Sequence, residues 1–270
     1  MPSFFLNQAA LEKAVTTGLG EGVRVAVLDS GIDFSHPALA NLKTADDLVV
    51  ESAGGQTSTV PGDGTDVFGH GTAVAGIIHR IAPAAEIGSI RVLGAFKQSH
   101  ALLIQEGAKQ AVRRGYDILQ CSFGAPARPA DAARYKGWLD AAYRQGRHVV
   151  AASANGLFTK PEWPAHFPQV IAVGAAPESD KNLDLEENTS AIPQLTRATG
   201  TLVELLANGE EKEALWPGGS SRQVIGSSFA APRATGLLCR LLQHYPDLHP
   251  LEAKAALLAL GEQKTSHPGS

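Results

Sequence analysis

Short apolar runs separated by stretches of helical periodicity constrain this chain more than any other feature. The runs are Val23–Leu28, Glu86–Leu93, Tyr116–Ser122, His148–Ser153 and Gln169–Gly174, with another near Leu48–Glu51. Between them the periodicity predicts helices after Gly71, over Ser99–Arg114 and over Ala130–Gln145. Strands this apolar need both faces covered, and regular alternation with helices calls for parallel pairing. The expected fold class is α/β, a three-layer α/β/α sandwich around a mostly parallel sheet. A short helix over 7–18 should precede the first strand, with Asn7 as its cap and Gly18 as its stop. One helix should follow Ser228 and another lie near Leu251–Leu260. Residues 38–66 read as mostly loop. Residues 177–221 are the least legible, with strands expected near Leu202–Leu206 and Glu213–Trp216. A length of 270 residues suits one large domain. It is expected over 1–261, followed by a disordered tail over 262–270.

Composition excludes several classes of function. The net charge is −4 and no Lys/Arg block occurs, so nucleic acid is not an expected partner. No apolar run approaches the roughly 20 residues of a membrane span, and Met1–Leu19 lacks the pattern of a signal peptide. Two cysteines, Cys121 and Cys239, make no disulfide framework and suit a reducing, cytoplasmic setting. Cys121 reads as a small buried residue rather than a reactive thiol. His36, His79, His100, His148, His166, His244, His249 and His267 lack metal-ligand spacing and are expected on the surface or in loops. Neither a metal nor another cofactor is expected.

The residues that carry chemistry sit at element ends. The first long strand closes on Asp29, at the carboxyl edge of the sheet where α/β proteins place their sites. Gly18, Gly20 and Gly22 precede that strand, so they do not form a dinucleotide-binding turn. His70 opens a helix between two glycines. Those glycines cost helix stability and imply that something approaches the ring closely. Ser228, in Gly226-Ser227-Ser228-Phe229-Ala230-Ala231-Pro232, opens a late helix, where unpaired N–H groups and the helix dipole favour a developing anion.

The order Asp29, His70, Ser228 is the Asp…His…Ser order of subtilisin. The chain resembles the subtilases, the subtilisin-like serine peptidases, through Val25–Asp33, His70–Gly76 and Gly226–Pro232, and more broadly over about residues 5–260. The resemblance implies a subtilisin-like fold and a serine endopeptidase. Ser228 would be the nucleophile, His70 its general base and Asp29 the group that orients the imidazole. Asn155, in Ala151–Gly156, would supply the second oxyanion donor beside the Ser228 N–H. It also implies that an extended peptide or protein substrate adds as a strand between Leu93-Gly94-Ala95 and Ser122-Phe123-Gly124. Residues Ser122–Gly124 and Ala152, Ser153 and Ala154 would wall the first side-chain pocket.

The chain departs from the family pattern in several places. Ala154 stands where glycine is usual, which predicts a narrowed pocket favouring small or medium apolar side chains. Ser227 and Phe229 replace the common Thr and Met. Ile78–Pro83 runs on without the calcium loop of many relatives, and no acidic cluster lies nearby. The start resembles a mature catalytic domain. Such a chain either folds without an inhibitory segment or is a domain excised from a secreted precursor. Three other functions stay open or fall. A degenerate subtilase used as a peptide-binding module and a processing or ligating protease of a biosynthetic pathway both fit the residues. An α/β-hydrolase does not, because Ala230 replaces the last glycine of Gly-x-Ser-x-Gly and Asp247 and His249 follow too closely.

Overall fold

The computed structural model describes residues 7–153, 161–176, 192–197 and 202–262. Helix α1 (Gln8–Thr17) starts where the Asn7 side chain accepts Ala10 N–H at 2.9 Å. Then follow β1 (Arg24–Asp29), β2 (Lys43–Ala53), β3 (Gln56–Pro61), α2 (His70–Ile81), β4 (Glu86–Arg91), α3 (Ala101–Arg113) and β5 (Ile118–Cys121). Next come β6 (Ala125–Pro126), α4 (Pro129–Arg144), β7 (His148–Ala152), β8 (Glu162–Trp163), β9 (Val170–Ala175), β10 (Leu195–Arg197) and β11 (Leu205–Ala207). The last elements are β12 (Glu210–Trp216), β13 (Ser220–Ile225), α5 (Ser227–His244) and α6 (Pro250–Glu262).

Nine strands form the central sheet in the order β10-β11-β9-β7-β5-β1-β4-β2-β3. All its pairs are parallel except the two at the edges, β10–β11 and β2–β3. Alternation along each strand sorts side chains to two faces. Val25 and Val27 of β1 join one core with residues of α1, α2, α5 and α6. Ala26 and Leu28 join the other with residues of α3 and α4. The expected three-layer α/β/α arrangement is therefore present.

Two stretches differ from expectation. Residues 38–66 contain a hairpin, β2–β3, turning at Gly54-Gly55. Only Leu48–Val50 of it is buried, so only that short piece carried an apolar signal. Strand β13 is polar and exposed along most of its length, and its pairing with β12 is invisible to hydrophobic periodicity. Helix α6 reaches Glu262; the rest of the expected tail, like most of 177–201, lies outside the described residues.

Parallel pairing puts the carboxyl ends of β1, β4, β5 and β7 along one edge of the sheet. Asp29, Leu93–Ala95, Ser122–Gly124 and Ala152–Ser153 all fall there because each closes or follows one of those strands.

Candidate active site

Asp29 is the last residue of β1 and is completely buried. Its carbonyl accepts N–H bonds from Val92 and Leu93 at 2.9 and 3.1 Å, which fixes the exit of β4 beside it. Its carboxylate accepts Ser30 N–H at 2.8 Å and lies 2.9 Å through each oxygen from His70 Nδ1. A carboxylate can only accept, so Nδ1 carries a proton, and in the neutral form of the ring Nε2 is the acceptor. Nε2 is buried and has no hydrogen-bond partner among the described residues.

His70 is held there by its surroundings rather than by helix propensity. Gly69 has φ +111°, and a Cβ on it would lie 2.3 Å from the Trp216 ring. A Cβ on Gly71 would lie 2.0 Å from the Gly31 carbonyl oxygen. The glycines thus make room for the chain after Asp29 and for Trp216, not for a ligand at the imidazole. Gly69 offers no side-chain cap to α2, and Asp66 takes that role. Its Oδ2 accepts Thr72 N–H at 2.8 Å and the Thr72 hydroxyl at 2.7 Å. Its Oδ1 accepts the Ser30 hydroxyl and the N–H groups of Phe68 and Gly69. Asp66 therefore ties the turn after Asp29 to the start of α2. Sequence reasoning missed it; the available signal was a carboxylate just ahead of a helix whose own cap position is glycine.

Ser228 is the second residue of α5 and half-buried, so its N–H has no intrahelical acceptor. Its hydroxyl donates to the Ser122 carbonyl at 3.0 Å, and the Ser122 hydroxyl donates to the Ser228 carbonyl at 2.8 Å. Phe229 packs on the His70 ring, with centroids 5.2 Å apart. It shares a small core with Ala73 and Ile77 of α2 and Ala214 and Trp216 of β12. Buried Arg233 adds bonds to the carbonyls of Asn208 and Glu210 and to the Glu211 carboxylate. The β12–β13 hairpin thereby joins the starts of α2 and α5. The structure brings Asp29 and His70 into contact and sets Phe229 against His70, while the Ser228 hydroxyl bonds to Ser122.

Along the expected substrate edges, Leu93, Ser122, Ala152 and Ser153 are buried, while Ala95 and Gly124 are exposed. Gly94 and Phe123 are intermediate. Ala154 and Asn155 lie outside the described residues. Glu162, which sequence reasoning did not name, packs so close that a Cβ on Gly124 would lie 2.6 Å from its carboxylate. Partial burial raises its carboxyl above the usual range. His166 accepts Glu162 N–H at 2.6 Å through Nδ1, which leaves Nε2 to donate to Ser153 Oγ at 3.2 Å.

His36 lies in a loop, as expected, but is buried there, and its Nε2 lies 3.0 Å from the Ser220 carbonyl. His148 corrects the expectation of a surface or loop position: it is buried at the start of β7, because that strand lies deep in the sheet. Cys121 and Cys239 are free and buried, and burial raises both thiols well above their ordinary range. No group of three or more potential metal ligands occurs among the described residues, and no described helix is long and apolar enough to cross a membrane.

The subtilase family matches residues 20–265. Subtilisin BL and Subtilisin Savinase, both from Lederbergia lenta, are each 31% identical over 238 residues, covering 84% of this chain and 78% of theirs. M-protease of Shouchella clausii (strain KSM-K16) has the same identity, but this chain spans just over half, 56%, of its length. A solved structure of a cold adapted subtilisin-like serine proteinase covers 89% of this chain and 82% of its own, with a TM-score of 0.68 and 22% identity, which bears on the fold alone. On the family match and on these relatives, the chain belongs to the subtilase family, the subtilisin-like serine peptidases.

Proposed function

We propose that this chain is a serine endopeptidase working through Ser228, His70 and Asp29, with the Ser228 N–H and Asn155 as oxyanion donors. The observation that carries this reading is the buried Asp29–His70 pair, in which Nδ1 is committed to the carboxylate and Nε2 is left as a free acceptor. A base in that tautomer takes a proton from a serine hydroxyl and returns it to the leaving amine, while the carboxylate stabilises the intermediate cation. Ser228 Oγ attacks the peptide carbonyl, the amine leaves, and water then hydrolyses the acyl-enzyme by the same steps.

Before attack the Ser228 hydroxyl has to leave the Ser122 carbonyl and turn to Nε2. An extended peptide laid along Ser122–Gly124 supplies the reason, because its own N–H competes for that carbonyl. Substrate binding and activation of the nucleophile are then one event. The partner is a peptide or protein. Net charge of −4 argues against nucleic acid, and the two free thiols support a reducing, cytoplasmic location.

A fluorophosphonate probe tests the reading. The folded protein should label covalently at one serine, and Ser228→Ala should abolish labelling. A correctly folded wild type that neither labels nor cleaves peptides would leave a peptide-binding module as the better description.

A further inference from the structure

Pro232 lies inside α5, four residues after Ser228. Proline has no N–H, so the Ser228 carbonyl lacks the donor that a helix normally supplies at that spacing. The Ser122 hydroxyl fills the vacancy at 2.8 Å. Its single hydrogen can point there reliably only if something else occupies the oxygen from behind. Gln120 does so, donating from Nε2 to Ser122 Oγ at 2.8 Å. An amide nitrogen cannot accept, so the direction of the Ser122 hydrogen is fixed. Gln120 is oriented in turn by Thr235, whose hydroxyl donates to Oε1. Gln120 and Thr235 are both completely buried. The relay therefore leaves α5 at Thr235, crosses β5 and returns to α5 at the nucleophile, two turns nearer the helix start.

An apolar side chain at position 120 would match its buried strand neighbours Ile118, Leu119 and Cys121. A glutamine there has to be desolvated, and each of its bonds must be made for the site to break even. We propose that Gln120 is a positioning residue for the nucleophile: with Thr235 and Ser122 it clamps the Ser228 peptide that Pro232 leaves unpaired, and so sets where the Ser228 hydroxyl stands when it turns to His70. This inference rests on the peptidase reading above. Gln120 and Thr235 act through Ser122 and hold the serine's backbone rather than its proton.

The test measures kcat and KM on a chromogenic peptide, per active site titrated with a fluorophosphonate. Gln120→Leu should lower kcat on the order of tenfold or more, with KM changed less than about twofold, because small misplacements of a reacting group are costly. That variant also strands the Thr235 hydroxyl in the core, so Gln120→Leu/Thr235→Val is compared with it. The apolar pair should recover the melting temperature while kcat stays low. If kcat per titrated site in the pair variant returns to within about twofold of wild type, the residues are only core packing and the inference falls. A wild type that turns over no peptide refutes the peptidase reading instead, and the inference with it.

Discussion

Two buried histidines lie at opposite ends of the sheet, and their difference shows what the fold builds and what it merely encloses. His70 stands at the carboxyl edge with both oxygens of Asp29 at 2.9 Å from Nδ1. His148 starts β7 at the amino edge, equally buried, and its Nδ1 has no partner among the described residues. Asp117 lines the same cleft but is taken by Arg147 at 2.8 Å and by the N–H of Arg24 at 2.9 Å. Burial, with His249 and Arg147 nearby, pushes the His148 pKa down to about 4. Burial without a carboxylate partner thus leaves a ring that holds its proton poorly. Burial beside a carboxylate fixes the orientation of the ring.

Removing that carboxylate is the harshest way to break the contrast. Asp29→Asn should keep the fold but lower kcat by about 10,000-fold, as the same change does in an unrelated triad peptidase, because the imidazole loses its tautomer. Steady-state kinetics check this, and a loss below tenfold would remove Asp29 from the mechanism. The next effect is smaller and concerns stability. With an ordinary pKa near 6.5 when unfolded and about 4 when folded, His148 makes the unfolded chain bind more protons between those values. Stability should hold above pH 6.5, fall by about 3 kcal/mol as pH drops toward 4, and change no further from this group below that. Burial lowers His79 and His166 too, in the same direction. Urea denaturation across this range should give a shallower slope for His148→Gln; equal slopes would show that His148 is not the titrating group. The smallest expected effect sharpens the other side of the contrast. Asp66→Ala should cost about 1–2 kcal/mol as a lost helix cap. It should also lower kcat, because the turn after Asp29 and the start of α2 lose their shared anchor. Unchanged denaturation midpoints would mean that His70 is held by Asp29 and packing alone.

Much of this is legible in the sequence. The apolar runs identify the inner strands because those strands are buried on both faces, and Asp29, His70 and Ser228 stand at element ends, as their local sequence indicates. What escaped was exposed or reciprocal. Strands β3 and β13 carry little apolar signal because neither contains a buried residue. Gly69 and Gly71 stand out in the sequence, but the groups they avoid, Trp216 and the Gly31 carbonyl, lie far away along the chain. Glu162 escaped because nothing local marks a glutamate as packed against Gly124.

The sequence by itself determined the layer architecture, the family and the candidate Asp29, His70 and Ser228, because hydrophobic period and turn chemistry are local properties. Only the tertiary structure decided which polar groups meet. Gln120 and Thr235 are 115 residues apart, and Ser122 and Ser228 are 106 apart. A buried polar group must find a partner wherever the packed chain offers one, and that choice is made by the fold as a whole.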